Sequence, residues 1–120
     1  VVSKVRDPRP FGVVSLNEDG SIREIVEKPE NPSSHLVSTG AMVLDKKIFD
    51  YKADVHPNGE YYLTDSVNKM LNDRKIFAVQ ASFWLPIGYP DDLGKAEKFL
   101  AEKELDVFDV NQIQAENYAF

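Results

Sequence analysis

Glu27 and Lys28 are the residues of this 120-residue chain whose types and spacing say most about chemistry, because a carboxylate and an ammonium stand side by side before Pro29. Adjacent residues of a strand face opposite sides of a sheet, but a bend at the proline would let both side chains reach one cleft. Taken alone, such a pair is more typical of a surface ion pair. Its interpretation therefore depends on its place among other motifs.

Other catalytic groups are scarce. The chain has no cysteine, which excludes disulfides, thiolate zinc sites and a cysteine nucleophile. His35 and His56 are in predicted loops without an acidic or serine partner at a motif spacing, so both are interpreted as solvated. The six glycines form neither a Gly-x-Gly-x-x-Gly sequence nor a Walker loop. Any nucleotide-binding loop must therefore lie outside this chain.

The overall composition is that of a globular domain, with 42% apolar and 28% charged residues. A net charge of -6 argues against nucleic-acid binding, which needs a basic face. No apolar run approaches the roughly 20 residues of a membrane span, and no signal peptide is visible. We therefore expect neither a nucleic-acid nor a membrane partner, and a cytoplasmic location.

A β-hairpin is predicted to place Glu27 and Lys28 at the end of its second strand. Phe11 to Leu16 is β-branched and apolar, and Ser21 to Glu27 alternates between apolar and polar residues. Between them, Asn17 to Gly20 supplies a turn with glycine at a left-handed position.

Two further strands are predicted around this hairpin. The apolar run Leu36 to Leu44 is interrupted at Ser38-Thr39-Gly40, which indicates a bulge or a close backbone approach. Val1 to Val5 also has the pattern of a strand, and a strand at a terminus usually pairs with a neighbour.

The second half of the chain is predicted to alternate between helices and short strands. Asp45 is interpreted as the N-cap of a short helix, and Pro90 opens the longest helix. Between them, Glu60 to Leu63 is predicted as a short strand and Lys75 to Phe83 as a buried one. The apolar stripe of the last helix is Leu93, Ala96, Phe99 and Leu100.

A further helix is predicted between the strand Glu60 to Leu63 and the strand Lys75 to Phe83. Thr64 or Asp65 is its expected cap, and its core face is Val67, Met70 and Leu71.

The motifs occur in an order that carries more information than any one of them. That order is Phe11-Gly12-Val13-Val14, Glu27-Lys28-Pro29, Pro32-x-Ser34, Thr39-Gly40, Gly59-Glu60-Tyr61-Tyr62-Leu63-Thr64-Asp65 and Trp84-x-x-x-Gly88-x-Pro90-x-Asp92. It resembles the sugar-1-phosphate nucleotidylyltransferases, also called nucleoside-diphosphate-sugar pyrophosphorylases. The resemblance is to the C-terminal half of the catalytic domain, covers residues 1–103 and leaves 104–120 as a tail or docking segment.

The resemblance implies an α/β fold, namely the C-terminal half of a Rossmann-like nucleotide-diphospho-sugar transferase domain. Its sheet would be mixed, with strands at its start and helices at its end. The implied reaction joins a hexose 1-phosphate to a nucleoside triphosphate and releases pyrophosphate. Family members use a divalent metal, usually Mg²⁺, to hold the phosphates, so catalysis is mostly positioning and electrostatics.

The resemblance also implies a sugar-phosphate site. Gly12 matches the glycine against which the sugar lies, and Glu27 matches the acid that accepts hydrogen bonds from sugar hydroxyls. Lys28 matches the lysine that binds the sugar phosphate, and Thr39 and Gly40 match the pair that lines the sugar pocket. Without the resemblance, Gly12 would be an ordinary strand glycine and Thr39-Gly40 a simple bulge.

Other motif residues are interpreted differently. Glu60, Thr64 and Asp65 are taken as mostly structural. Trp84 is taken as core or pocket wall. The resemblance implies a metal-binding aspartate two residues after Trp84, but Pro86 stands there and offers no ligand. Asp91 and Asp92 are better explained as the start of the following helix. The Mg²⁺ ligand set is therefore incomplete in this chain.

Three functions stay open for the whole protein. The first is an active enzyme. The second is a non-catalytic relative that binds sugar nucleotide and regulates a partner, which Pro86 would favour. The third is an unrelated α+β interaction module. Because the chain begins without methionine at a predicted strand, we expect an incomplete unit. The resemblance implies that a glycine-rich nucleotide-binding loop and a second metal-binding aspartate belong to the first half of the domain, so we expect the chain to be inactive alone. Open edges such as Val1 to Val5 predict self-association. Neither the base nor the hexose can be named from this sequence.

Overall fold

Four strands and two α-helices make up the fold of residues 1–103, which are the residues that the computed structural model describes. The chain divides into two units, Val1–Trp84 and the residues from Leu85 onward. The predicted tail at 104–120 lies outside the described residues. None of the helices within residues 1–103 is long and apolar enough to cross a membrane. In chain order the elements are β1 (Val2–Lys4), β2 (Gly12–Leu16), β3 (Ile22–Glu27), β4 (Leu36–Ser38), a 3₁₀ helix (Lys46–Asp50), α1 (Leu63–Leu71) and α2 (Pro90–Lys103).

The strands form one sheet in the order β1-β4-β2-β3, and each of these neighbouring pairs is antiparallel. On the far side of β1, Val2 makes a parallel bridge with Gln80: its N–H donates to the Val79 carbonyl and its carbonyl accepts from the Ala81 N–H, both at 2.8 Å. The pairing is therefore mixed, as predicted, although its parallel part is a single isolated bridge. β1 has neighbours on both sides, so it is not the open edge that the sequence predicts.

The predicted hairpin is confirmed as β2 and β3. Gly20 adopts a left-handed φ of 80°, and the Asn17 N–H donates to the Ser21 carbonyl at 2.8 Å. The Asp19 carboxylate accepts from the Ser21 N–H at 3.0 Å and lies 2.6 Å from the Lys75 ammonium. Local hydrogen bonds and one ion pair therefore fix the turn.

One face of the sheet packs against α1. Val14 and Ile25 lie opposite each other in β2 and β3 and are buried together with Val67 and Met70 of α1. Leu71, the third predicted core residue of this helix, is only half-buried. Burial of this apolar face is the main force that holds the helix on the sheet.

Two polar side chains bond to strand backbone and fix neighbouring segments. Asn68 of α1 accepts from the Ile25 N–H at 2.8 Å and donates to the Ile25 carbonyl at 2.7 Å, so it occupies the outer edge of β3. Ser34 donates to the Val14 carbonyl at 2.7 Å and accepts from the Leu36 N–H at 3.0 Å. These bonds hold α1 and the start of β4 against the hairpin.

The start of α1 differs from the prediction. The helix begins inside the predicted strand Glu60–Leu63, and its N-cap is Tyr62 without a side-chain hydrogen bond, so both the strand and the cap at Thr64 or Asp65 are wrong. The Asp65 carboxylate instead accepts from the Asp54 N–H at 2.6 Å. A contact with the preceding loop therefore takes the place of a local cap.

The segment Lys75–Phe83 is also not the buried strand that the sequence predicts. It makes isolated bridges rather than a continuous ladder, and Phe77 and Val79 are 60% and 65% exposed. Ile76 and Ala78 pack against the core. Apolar residues occur on both sides of this segment, so its sequence does not indicate that only one side is covered.

The run Leu36–Leu44 is shorter as a strand than predicted, because β4 ends at Ser38. The predicted interruption is real: Gly40 has a left-handed φ of 86°. The N-cap at Asp45 is confirmed, since its carboxylate accepts from the Lys47 N–H at 2.9 Å, although the helix it begins is 3₁₀.

α2 confirms the predicted last helix. The Asp92 carboxylate accepts from the Tyr89 N–H at 3.1 Å and so caps the first turn. Of the predicted apolar stripe, Ala96 is buried, whereas Leu93 and Leu100 are more than half exposed.

Candidate functional site

A cavity of about 340 Å³ opens in the Val1–Trp84 unit where β2 begins and where β3 and β4 end. The start of α1 forms another of its walls. Four of the five residues predicted for a sugar-phosphate site line it, namely Gly12, Glu27, Thr39 and Gly40. Its other lining residues are Pro10, Phe11, Ser38, Met42, Tyr62, Leu63, Thr64 and Trp84.

Gly12 and Glu27 are brought together by the register of the hairpin. They are direct partners in the antiparallel pair of β2 and β3, so they share one face of the sheet. A Cβ on Gly12 would lie 3.0 Å from Glu27 Oε2 and 3.3 Å from Ile25 Cγ2. The absent side chain therefore leaves the room that the carboxylate occupies.

The Glu27 carboxylate is half-buried, and it makes no hydrogen bond or ion pair with any residue of the chain from 1 to 103. Polar groups that lose water on folding are normally paired with a donor or acceptor. Glu27 thus keeps its full capacity to accept hydrogen bonds from a molecule in the cavity.

Lys28 reaches the same region through an unusual backbone. Its φ of 43° makes it the one non-glycine residue of the described chain in the left-handed region, and it precedes Pro29, which disfavours helical backbone angles. Its N–H donates to the Phe11 carbonyl at 3.0 Å. Its ammonium lies 5.9 Å from the centre of the Tyr62 ring, and that ring lines the cavity. The change of direction that the sequence assigned to the proline therefore occurs at Lys28.

Thr39 and Gly40 are held by backbone bonds just beyond β4. The Thr39 N–H and hydroxyl both donate to the Val1 carbonyl at 3.1 Å, and the Gly40 N–H donates to the Ser38 hydroxyl at 3.3 Å. With its left-handed φ, Gly40 turns the chain at the rim of the cavity without a side chain to fill it.

An aromatic pair forms another part of the wall. Phe11 and Trp84 meet edge to face with ring centres 5.1 Å apart, and both line the cavity. Of the two interpretations offered for Trp84, the structure supports the pocket wall. Aromatic side chains are common in the walls of small-molecule sites.

A polar cluster around Tyr62 escaped sequence analysis. The Tyr62 hydroxyl donates to the Glu60 carboxylate at 2.5 Å and accepts from the Asn58 side-chain amide at 2.7 Å. His56 packs edge to face on the same ring at 4.4 Å and is half-buried rather than solvated. The bond from Tyr62 keeps the pKa of Glu60 below its usual range. Both Glu60 and Tyr62 belong to the motif from Gly59 onward, but from the sequence Glu60 is taken as mostly structural and Tyr62 is given no role.

The described residues do not fit a magnesium site. Among residues 1–103, no group of three or more His, Asp or Glu side chains is placed to hold a metal ion. Pro86 has no donor atom, and the Asp92 carboxylate is already engaged by two backbone N–H groups and by Lys95, whose hydrogen bond is the main cause of its lowered pKa. The metal expected from the resemblance would need ligands from elsewhere in the whole protein.

Comparison with known proteins identifies relatives of one kind. The family model named nucleotidyl transferase matches residues 1–103. A bifunctional protein GlmU from Methanocaldococcus jannaschii is 37% identical over 105 residues, which cover 85% of this chain and 26% of that protein. The UTP–glucose-1-phosphate uridylyltransferase AglF from Haloferax volcanii is 38% identical over 97 residues, which cover 78% of this chain and 40% of that protein.

A solved structure shares the fold as well. It is a crystal structure, with bound sucrose, of a Bacillus anthracis protein assigned as a glucose-1-phosphate thymidylyltransferase, with a TM-score of 0.69 and 32% identity. The match covers 82% of this chain and 41% of that one. The chain thus spans from 26% to 41% of the length of these three relatives. The predicted resemblance and the fold class are both confirmed.

Proposed function

The chain belongs to the nucleotidyl transferase family, and on that premise we propose that it supplies the sugar-phosphate side of an enzyme that joins a hexose 1-phosphate to a nucleoside triphosphate. One observation carries the proposal: the half-buried Glu27 carboxylate stands in the cavity beside Gly12 with no partner among residues 1–103. Sugar hydroxyls are hydrogen-bond donors of the kind that this carboxylate lacks.

Each residue of the site has a proposed role in binding. Gly12 lets the sugar ring approach the backbone, and Glu27 accepts hydrogen bonds from its hydroxyl groups. Lys28 brings a point charge to the phosphate. Thr39 and Gly40 close the opposite rim of the sugar pocket. A surface ion pair between Glu27 and Lys28, the more typical interpretation of these two residues taken alone, is wrong because no such contact occurs in the described chain.

In the proposed reaction an oxygen of the sugar phosphate attacks the α-phosphorus of the nucleoside triphosphate, and the bond to pyrophosphate breaks. Such transfers depend on alignment and charge stabilisation rather than on covalent help from the protein. Because residues 1–103 hold no ligand set for the expected Mg²⁺, this chain's own contribution is to bind and orient the sugar phosphate.

We propose that nucleotide binding belongs to other parts of a longer protein, because the chain spans at most 41% of the length of the three relatives described. The chain alone is then inactive. Turnover by the purified 120-residue chain with magnesium, nucleoside triphosphates and hexose phosphates would contradict this proposal. A cytoplasmic location likewise stays a prediction.

Self-association of the isolated chain is also proposed, now through exposed apolar side chains rather than through an open edge at β1. Val43, Phe49, Phe77 and Val79 are large apolar residues that are all at least 60% exposed. Exposed apolar surface of this kind favours association. Sedimentation analysis at high concentration should show oligomers, and a monodisperse monomer would count against the proposal.

The function is tested on the full-length protein with magnesium, a panel of hexose 1-phosphates and a panel of nucleoside triphosphates. We expect pyrophosphate release that requires one member of each panel. A non-catalytic relative is the second candidate, and Pro86 in place of a carboxylate favours it. Tight binding of a sugar nucleotide without any release of pyrophosphate would select that candidate. If the protein shows no binding and no release, both candidate functions are rejected.

A further inference from the structure

The Lys28 ammonium forms no ion pair within residues 1–103, but it lies over an aromatic face. Its Nζ atom is 5.9 Å from the centre of the Tyr62 ring. Aromatic faces attract cations at this range. A free lysine side chain samples many rotamers, and ordering it for a ligand costs entropy. A ring that already attracts the ammonium lowers that cost.

Tyr62 is itself held in place by its surroundings. Its hydroxyl donates to Glu60 at 2.5 Å and accepts from Asn58 at 2.7 Å, so both hydrogen-bonding functions are used. The Asn58 amide also donates to Glu60 at 3.0 Å, and His56 packs on the ring at 4.4 Å. Tyr62 stands at the N-cap of α1, whose buried face is fixed to the sheet. The ring therefore has one defined orientation.

We propose that Tyr62 is a positioning residue that holds the Lys28 ammonium at the cavity for the phosphate of the bound sugar phosphate. This inference rests on the proposed function, because that function supplies the phosphate. It adds a role for the Asn58, Glu60 and His56 cluster, which keeps the ring in the orientation that Lys28 meets.

The test measures the affinity of the full-length protein for hexose 1-phosphate by calorimetry. Tyr62→Leu removes the ring face and should weaken binding about fivefold. Tyr62→Phe keeps the ring but loses the two hydrogen bonds of the hydroxyl that orient it, so it should weaken binding by about twofold, which is less than the loss in Tyr62→Leu. Tyr61→Leu is the matched control, because Tyr61 is the adjacent tyrosine, is 68% exposed and does not line the cavity. It should bind as wild type does.

A double-mutant cycle separates positioning from direct contact with the ligand. If Tyr62 acts through Lys28, Tyr62→Leu will cause no further loss in a Lys28→Met background. A further fivefold loss in that background would overturn the inference, and so would a loss in Tyr62→Phe as large as in Tyr62→Leu. If the wild-type protein binds no hexose 1-phosphate, both the proposed function and this inference are wrong. If the wild type binds and only the Tyr62 pattern is absent, the proposed function stands alone.

Discussion

The two ends of the β2–β3 hairpin differ in how their charged groups are used. At the turn, the Asp19 carboxylate accepts bonds from Ser21 and pairs with Lys75 at 2.6 Å. At the open end, the Glu27 carboxylate has neither a hydrogen bond nor an ion pair within residues 1–103. The Lys28 ammonium forms no ion pair there, but it lies over the Tyr62 ring, and its charge helps to lower the pKa of Glu60. Groups at the turn serve the fold, whereas we propose that the groups at the open end bind a ligand.

The backbones of the two ends show the same contrast. Gly20 takes a left-handed φ of 80° at the turn, where glycine adopts it without steric cost. Lys28 takes a left-handed φ of 43° at the open end, where a lysine before proline is strained. Strain that surrounding structure maintains is common at binding sites. The hairpin thus has a relaxed backbone at one end and a strained one at the other, and we propose that the strained end is the one that binds the sugar phosphate.

Lys28→Ala is expected to have the largest effect. In the full-length protein it should raise the KM for the sugar phosphate and lower turnover, because the ammonium meets negative charge in both ground and transition states. The loss in kcat/KM should correspond to about 2 to 4 kcal/mol. Lys75→Ala removes a lysine from the partnered end and should leave these kinetics unchanged. Equal effects of the two substitutions would break the contrast between the ends.

Two glycine substitutions, one at each end of the hairpin, are expected to have the next largest effects. Gly12→Ala would place a Cβ 3.0 Å from Glu27 Oε2, so the carboxylate must shift and the KM for hexose 1-phosphate should rise about tenfold. Gly20→Ala has open space around it but a left-handed backbone, so it should cost about 1 to 2 kcal/mol of unfolding free energy. Steady-state kinetics and urea denaturation of both variants check these two expectations. A change in the KM for hexose 1-phosphate in Gly20→Ala would contradict the contrast between the two ends of the hairpin.

The smallest expected effect is a pH dependence at the turn. The Lys75 ammonium, followed by the Ser21 hydroxyl, holds the pKa of Asp19 far below its ordinary 3.8. A carboxyl group with a lowered folded-state pKa contributes stability above its unfolded pKa and loses it as the pH falls. Asp19→Asn should therefore reduce stability at neutral pH, and its difference from wild type should shrink below about pH 4. Thermal melts across this range would refute the assignment if the difference stayed constant.

Sequence reasoning succeeded where structure depends on local signals. The Gly20 turn and the Asp45 cap need only adjacent residues, and both are confirmed. It failed where a distant partner decides. Asp65 looks like a cap, but the Asp54 N–H takes its carboxylate. The segment 75–83 looks fully apolar, but only one of its sides is covered.

The candidate site was predictable in its members but not in its geometry. The order of motifs pointed to Gly12, Glu27, Thr39 and Gly40, and the structure brings these four around one cavity. Their roles in binding stay predictions. No sequence pattern indicates a left-handed backbone at Lys28, because proline neighbours usually favour extended angles. Tyr62 is given no role from the sequence for a related reason, since the role proposed for it depends on a contact with Lys28, which is far away in the chain.

The measurement that tests the account most directly compares Glu27→Ala with Glu24→Ala in the full-length protein. Both carboxylates lie on β3 and differ mainly in surroundings, because Glu24 has Arg23 at 3.6 Å whereas Glu27 faces the cavity unpaired. The account predicts that Glu27→Ala weakens selection among hexose 1-phosphates more than it weakens phosphate binding, and that Glu24→Ala changes neither. Unchanged sugar selection in Glu27→Ala, in a folded and active protein, would contradict the assignment of this cavity to the sugar.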